Sequence, residues 1–153
     1  MKNIVIVDID GTVSKVGDRL RFLQQNPVDW DSFYESCFED EPIKEICELV
    51  KDLNRSCYEI YFCTGRRESV RPITVDWIIK NIEPLWTAEW VNKRLLMRPD
   101  GDKRHDTIVK PEQLKEAEVE LNNIAFVLED RNSMVAEWRE MGLRCLQVAE
   151  GDF

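Results

Sequence analysis

Short apolar runs recur along the chain, and several of them stop abruptly on polar groups. Ile4-Val5-Ile6-Val7 is too short for a helix and leads into Asp8-Ile9-Asp10-Gly11-Thr12, which predicts a buried strand delivering carboxylates to its C-terminal edge. Glu59–Cys63 predicts a second strand that ends in Thr64-Gly65-Arg66-Arg67, and Arg94–Met97 a third. Asn123–Leu128 predicts a fourth, ending in Glu129-Asp130, and Arg144–Val148 closes the set. Between these runs the period lengthens. Ile43, Ile46, Cys47, Val50 and Leu53 recur at helical spacing behind Pro42, a residue that the first turn of a helix tolerates. Val70, Ile73, Trp77 and Ile78 mark a helix over Glu68–Asn81; a charged helix is expected from Pro111 to Leu121. Val135, Trp138 and Met141 mark a last helix, with Gly142 as its C-terminal cap.

Strands that alternate with helices imply an α/β domain, a mainly parallel five-stranded sheet with right-handed crossovers and helices on both faces. Ligands of such sheets bind beyond the carboxyl ends of the strands. That rule gathers Asp8 and Asp10, Thr64 and Arg66, and Glu129 and Asp130 at one edge. Residues 14–41 fall outside the pattern. Two short helices are expected there, near Asp18–Leu23 and Trp30–Phe38, separated by Asn26-Pro27. Because the insertion follows the first strand directly, it overhangs the same edge, as a small cap or as a space-filling hairpin.

The 153 residues suit one domain with a full core. A hydrophobic share of 43% with 33% charged residues is ordinary for a soluble protein, and no run approaches a membrane span. The cytoplasm is the expected location. Five cysteines without a C-x-x-C pair, beside the single His105, exclude a zinc set and are expected to be reduced and mostly buried. His105 itself is expected on a loop surface. A net charge of -9 argues against broad affinity for a nucleic-acid duplex, yet leaves room for a strand end or a small anion met by a few arginines and a metal.

Two carboxylates crowded into a crevice repel each other and ask for a hard cation such as Mg²⁺. With a phosphate ester as ligand, Asp8 has the chemistry to attack phosphorus and form an aspartyl-phosphate. Asp10 is then placed to protonate the leaving oxygen and deprotonate the attacking water, offering its backbone carbonyl to the metal. Thr64 and the backbone N–H groups after it suit a phosphate oxygen, Lys110 suits the charge that builds on phosphorus, and Asp130, with Glu129 behind it, completes the metal shell.

In order and spacing, Asp8-Ile9-Asp10-Gly11-Thr12, Thr64-Gly65-Arg66, Lys110 and Glu129-Asp130 resemble the four motifs of the haloacid dehalogenase (HAD) superfamily of phosphatases, a three-layer Rossmann-like fold. Gly101-Asp102, Asp106-Thr107-Ile108-Val109-Lys110, Glu129-Asp130-Arg131 and the tail Leu146–Phe153 resemble more closely the 3′-phosphatase domain of bacteriophage polynucleotide kinase/phosphatases. The resemblance implies a single HAD phosphatase domain over 1–153 with a cap insertion at 14–41. It makes Asp8 the nucleophile and Asp10 the general acid/base, and gives the scissile phosphate to Thr64, Gly65 and Lys110. Arg66 would contact substrate, Asp106 would orient Lys110, and Mg²⁺ would sit on Asp8, Asp10 and Asp130. Glu129 stands where that family more usually has Asp.

The activity so implied is Mg²⁺-dependent removal of a 3′-phosphate from polynucleotide ends. A nucleotidase or other small-molecule phosphatase is the alternative within the same chemistry, and a non-catalytic phosphate-binding module the alternative outside it. No G-x-x-x-x-G-K-[ST] occurs, so kinase activity is not expected, and a kinase or ligase partner would be a separate chain. Arg19, Arg21 and Arg71 read as surface residues, which either guide an anionic strand into the cleft or do nothing specific. Trp30, Phe33 and Tyr34 suit either base stacking or the apolar face of a cap helix.

Overall fold

A computed structural model describes residues 1–153. Five strands, β1 (Ile4–Val7), β2 (Glu59–Arg67), β3 (Leu95–Arg98), β4 (Ile124–Glu129) and β5 (Cys145–Gln147), form one sheet in the order β3-β2-β1-β4-β5. Every pairing is parallel, with Val7 beside Phe62 on one side and Leu128 on the other. β1 lies at the centre and all four of its side chains are buried, which is why it reads as an unbroken apolar run.

Strand alternation divides the core in two. Val5 and Val7 face a cluster completed by Cys47 and Val50 of α2 (Lys44–Arg55) and by Val75, Trp77 and Ile78 of α3 (Arg71–Asn81). Ile4 and Ile6 face the opposite cluster, with Leu114 of α5 (Asp106–Glu116) and Met134, Val135 and Trp138 of α6 (Asn132–Glu140). The insertion holds 3₁₀ turns at Gly17–Gln24 and Ser36–Glu39 around the short helix α1 (Trp30–Glu35), and α4 (Ala88–Asn92) precedes β3. Trp86 and Trp90 stack on each other with centroids 4.5 Å apart and pack against the core.

Several element boundaries differ from the sequence expectation. α5 begins at Asp106, not Pro111, because the exposed His105 caps it: its Nδ1 accepts from Thr107 N–H. Pro111 therefore lies inside the helix, and Lys110, expected just before it, sits within α5 and is buried. β2 runs on through Thr64-Gly65-Arg66-Arg67, with a register shift against β3 after Cys63. Pro42 does not open α2; it bridges back to Ser14 and seats the end of the insertion beside the β1 turn. The expected helix over Glu68–Asn81 starts as a 3₁₀ turn and becomes α-helical at Arg71. Four cysteines are buried, and Cys57 is exposed.

Candidate active site

The site forms where β1 and β4 stop. Asp8 follows β1, its N–H bonded to Leu128 O (3.0 Å), and the chain turns at Gly11, whose φ of +88° favours glycine. A Cβ there would also lie 2.1 Å from Asp130 Oδ2, so the turn and the approach of the β4 loop both depend on the missing side chain. Thr12 Oγ1 lies 3.0 Å from Asp8 Oδ2 and 3.1 Å from Asp130 Oδ1, so its one proton serves either carboxylate in turn.

Lys110 reaches this pair from α5. Its Nζ donates to Asp8 Oδ1 (2.6 Å) and Glu129 Oε2 (2.9 Å), with all three side chains buried. Glu129 Oε1 accepts from the N–H groups of Asp130 (3.2 Å) and Arg131 (3.3 Å). The longer acid thus spans from its own loop to the lysine. Asp8, Glu129 and Asp130 form a buried group in which one carboxylate oxygen from each lies within 4.8 Å of the other two. Burial, followed by the charge of Glu129, raises the Asp8 carboxyl well above the usual carboxylate range despite Lys110. Burial and Glu129 likewise raise Asp130. Burial opposes the charge on Lys110, but Asp8 and Glu129 outweigh it and raise its ammonium pKa well above normal. Three acids against one ammonium leave a buried excess of negative charge, and their donors are hard oxygens; the residues fit Mg²⁺.

Asp10 belongs to a second group. Its carboxylate accepts from Arg66 Nη2 (2.7 Å) and Nε (3.1 Å) and pairs with Arg19 Nη2. Asp40 accepts from Arg19 Nε (2.8 Å) and Nη2 (2.7 Å) and from Arg66 Nη2 (3.2 Å). Ser14 Oγ lies within hydrogen-bond reach of both carboxylates. Burial pushes the Asp10 carboxyl up, but Arg66 and Arg19 overcome it and hold the group below the usual carboxylate range. Arg66 is fully buried, and its remaining donors go to Thr74 and Ser14. In place of the expected substrate contact, it fixes Asp10, because no face of its guanidinium is open.

Thr64 is buried; its Oγ1 accepts from Arg66 N–H (3.1 Å) and its carbonyl from Gln113 Nε2 (3.2 Å). Gly65 O accepts from Arg98 Nε (3.1 Å). The Asp106 carboxylate is held by Arg98 and by Arg131 Nη1 (2.9 Å), and it makes no hydrogen bond to Lys110, which Asp8 and Glu129 orient instead. Behind the β4 loop, Gln147 Nε2 donates to Asp130 O (3.0 Å), Asn132 N–H to Gly151 O (2.7 Å), and Arg131 lies over the Phe153 ring (5.0 Å).

A family model for the polynucleotide kinase PNKP phosphatase domain matches residues 2–153. The chain belongs to this family of HAD phosphatases. Two solved chains of a Pnkp1/Rnl/Hen1 complex, one described as an RNA repair complex, align with this PNKP-type domain at TM-scores of 0.78 and identities of 27% and 28%. They cover 100% and 98% of it, whereas the domain spans only 48% and 43% of their length. CbbY from Rhodobacter sphaeroides, solved with phosphate, shares the fold at a TM-score of 0.66 and 14% identity over 100% of this chain and 88% of its own.

Arg19, expected at the surface but buried on Asp10 and Asp40, and Asp40, which the sequence did not single out, are the main additions to this PNKP-type site. Both lie in the insertion, which has no periodicity to show an inward face. No local signal distinguishes Arg19, buried at 2% exposure, from the exposed Arg21.

Proposed function

We propose that this domain is a Mg²⁺-dependent phosphomonoesterase that removes 3′-phosphate from polynucleotide ends, in the cytoplasm, through an aspartyl-phosphate on Asp8. The observation that carries the reading is Asp8 itself, a buried carboxylate held by Lys110 and Thr12 at the end of the central strand of a PNKP-family phosphatase domain.

An Asp8 oxygen attacks phosphorus, the ester P–O bond breaks, and the leaving oxygen takes a proton from Asp10. Water then attacks the acyl phosphate, Asp10 accepts its proton, orthophosphate leaves and the Asp8 carboxylate is restored. Arg19 and Arg66 fix Asp10 and favour the carboxylate that the second step uses, and the proton it takes from water there is the one it gives to the leaving oxygen of the next turnover. Lys110, Thr64 and the Gly65 backbone take the charge that gathers on the phosphoryl oxygens. Asp8 and Asp130, with Glu129 behind them and the Asp10 carbonyl beside them, would hold Mg²⁺, which when bound offsets the repulsion between carboxylate and phosphate.

The relation to chains of an RNA repair complex supports RNA ends as substrate and a ligase as a separate partner. The test compares Mg²⁺-dependent phosphate release from an oligonucleotide 3′-phosphate, its 5′-phosphate isomer, and free 3′- and 5′-nucleotides. Strong preference for the 3′-phosphorylated strand is expected. Equal or better turnover of free nucleotides would make the domain a nucleotidase with the same site.

A further inference from the structure

The insertion places a cluster of three aromatic rings beside the Thr64-Gly65-Arg66 segment of the site. Trp30, Phe33 and Tyr34 share one face of α1, yet only Phe33 is buried, at 8% exposure. Phe33 is the anchor: its carbonyl accepts from Arg19 Nη1 (3.4 Å), and the Arg19 guanidinium lies 4.4 Å from its ring centroid. Arg19 also binds Asp10, so the helix is keyed to the catalytic turn. Tyr34 joins the cluster to the site: its hydroxyl lies 3.5 Å from Gly65 O, between Thr64 and Arg66, and its ring packs edge-on to Phe33 at 5.2 Å. Trp30, 46% exposed, packs edge-on to Phe33 at 6.1 Å and stacks on Tyr34 with centroids 6.2 Å apart and planes 24° apart.

A cluster that served packing alone would bury its largest ring deepest. Here the indole is left open, at 46% exposure against 8% for Phe33. Arg67 reinforces the arrangement, with its guanidinium 4.9 Å from the Tyr34 centroid and Nη1 on Asp31 Oδ1 (2.8 Å). Every nucleobase offers a π-face, and exposed aromatic rings beside a cation are what a single strand stacks upon.

Resting on the 3′-phosphatase reading above, we infer that Trp30 extends the Tyr34 stack to receive the nucleobase at the 3′-phosphorylated end, so that the insertion selects nucleic-acid ends over small phosphoesters. Phosphoryl chemistry stays with Asp8 and its neighbours, and Trp30 acts only on what is presented to them.

The test measures kcat/KM for two 3′-phosphorylated oligonucleotides that differ only in the last residue, one with its base and one abasic. Wild type is expected to prefer the base-bearing strand about tenfold, within the range that one stacked base supplies. Trp30→Ala should bring the ratio close to one through KM, and Trp30→Phe should keep most of it. Fluorescence provides a measurement independent of turnover: 2-aminopurine as the terminal base should be quenched on binding to Asp8→Asn protein, and less so when Trp30→Phe is added. A wild-type ratio near one, or a ratio that Trp30→Ala leaves intact, overturns the stacking site and leaves the 3′-phosphatase reading in place. Absence of turnover on both strands by wild type overturns both.

Discussion

Arg19 offers the sharpest test of how the insertion and the catalytic turn are joined. It is 2% exposed, gives two nitrogens to Asp40, pairs with Asp10 and reaches the Phe33 carbonyl. Arg19→Met keeps much of the volume but strands two largely desolvated carboxylates. Breaking a buried pair in this way typically costs about 3–5 kcal/mol. Arg66 still touches Asp10 and Asp40, which places the cost near the lower figure, about 3 kcal/mol, a large part of a domain's usual stability. The midpoint of thermal unfolding should then fall by about 6–12 °C for a domain of this size. Arg19→Lys should restore little, because a single ammonium cannot present the planar fork that spans two carboxylates. Turnover should fall about 100-fold as Asp10 loses its fixed position. Urea unfolding followed by tryptophan fluorescence, with phosphate release on the same samples, provides the check. A stability loss under about 1 kcal/mol, or full rescue by lysine, would refute the view that this cluster locks the insertion to the turn.

Lys110→Met leaves Asp8 and Glu129 buried without a counter-charge and should cost about 3–5 kcal/mol, with Asp8→Asn in the same chain recovering part of it; a double-mutant cycle in urea measures the coupling, and strict additivity would contradict the pairing. Gly151→Ala would place a Cβ 2.3 Å from Asp130 O and 2.8 Å from Arg131 Cα, both backbone. It should cost about 1–3 kcal/mol by overpacking and depress turnover by moving the loop that carries Asp130, and wild-type behaviour in both assays would show that the tail does not brace the site. For pH, the folded-state pKa of Asp10 lies below its unfolded value, so its ion pairs contribute stability above about pH 4 that is lost as pH falls further. The difference in unfolding free energy between wild type and Asp10→Asn should therefore be largest near neutrality and shrink in acid; a difference that grows in acid has the wrong sign.

The parts of this molecule legible in the sequence are those set by local pattern. β1 and β4 were readable because strands buried on both faces are apolar throughout, and the acids after them because a parallel sheet presents its strand ends together. Lys110 was legible as a phosphate-site residue only through its motif, while its burial was not, since Pro111 reads as a helix start and the cap that moves the start to Asp106 is a histidine side chain. The Asp10–Arg19–Arg66–Asp40 cluster joins residues up to 56 positions apart. No periodicity marks the insertion, so Arg19 and its exposed neighbour Arg21 look alike until the fold brings Asp40 and Asp10 to one of them. Asp106 shows the converse: its motif position suggested Lys110 as partner, but α5 turns it towards Arg98 and Arg131.

The central claim is that Asp8 becomes phosphorylated. Single-turnover reaction with an oligonucleotide carrying a ³²P-labelled 3′-phosphate and Mg²⁺, quenched in acid at short times, tests it most directly. Transient, hydroxylamine-labile label on the peptide containing Asp8, absent from folded Asp8→Asn protein that also releases no phosphate, is the predicted result. Phosphate release by Asp8→Asn at the wild-type rate, or label on another residue, would contradict the account.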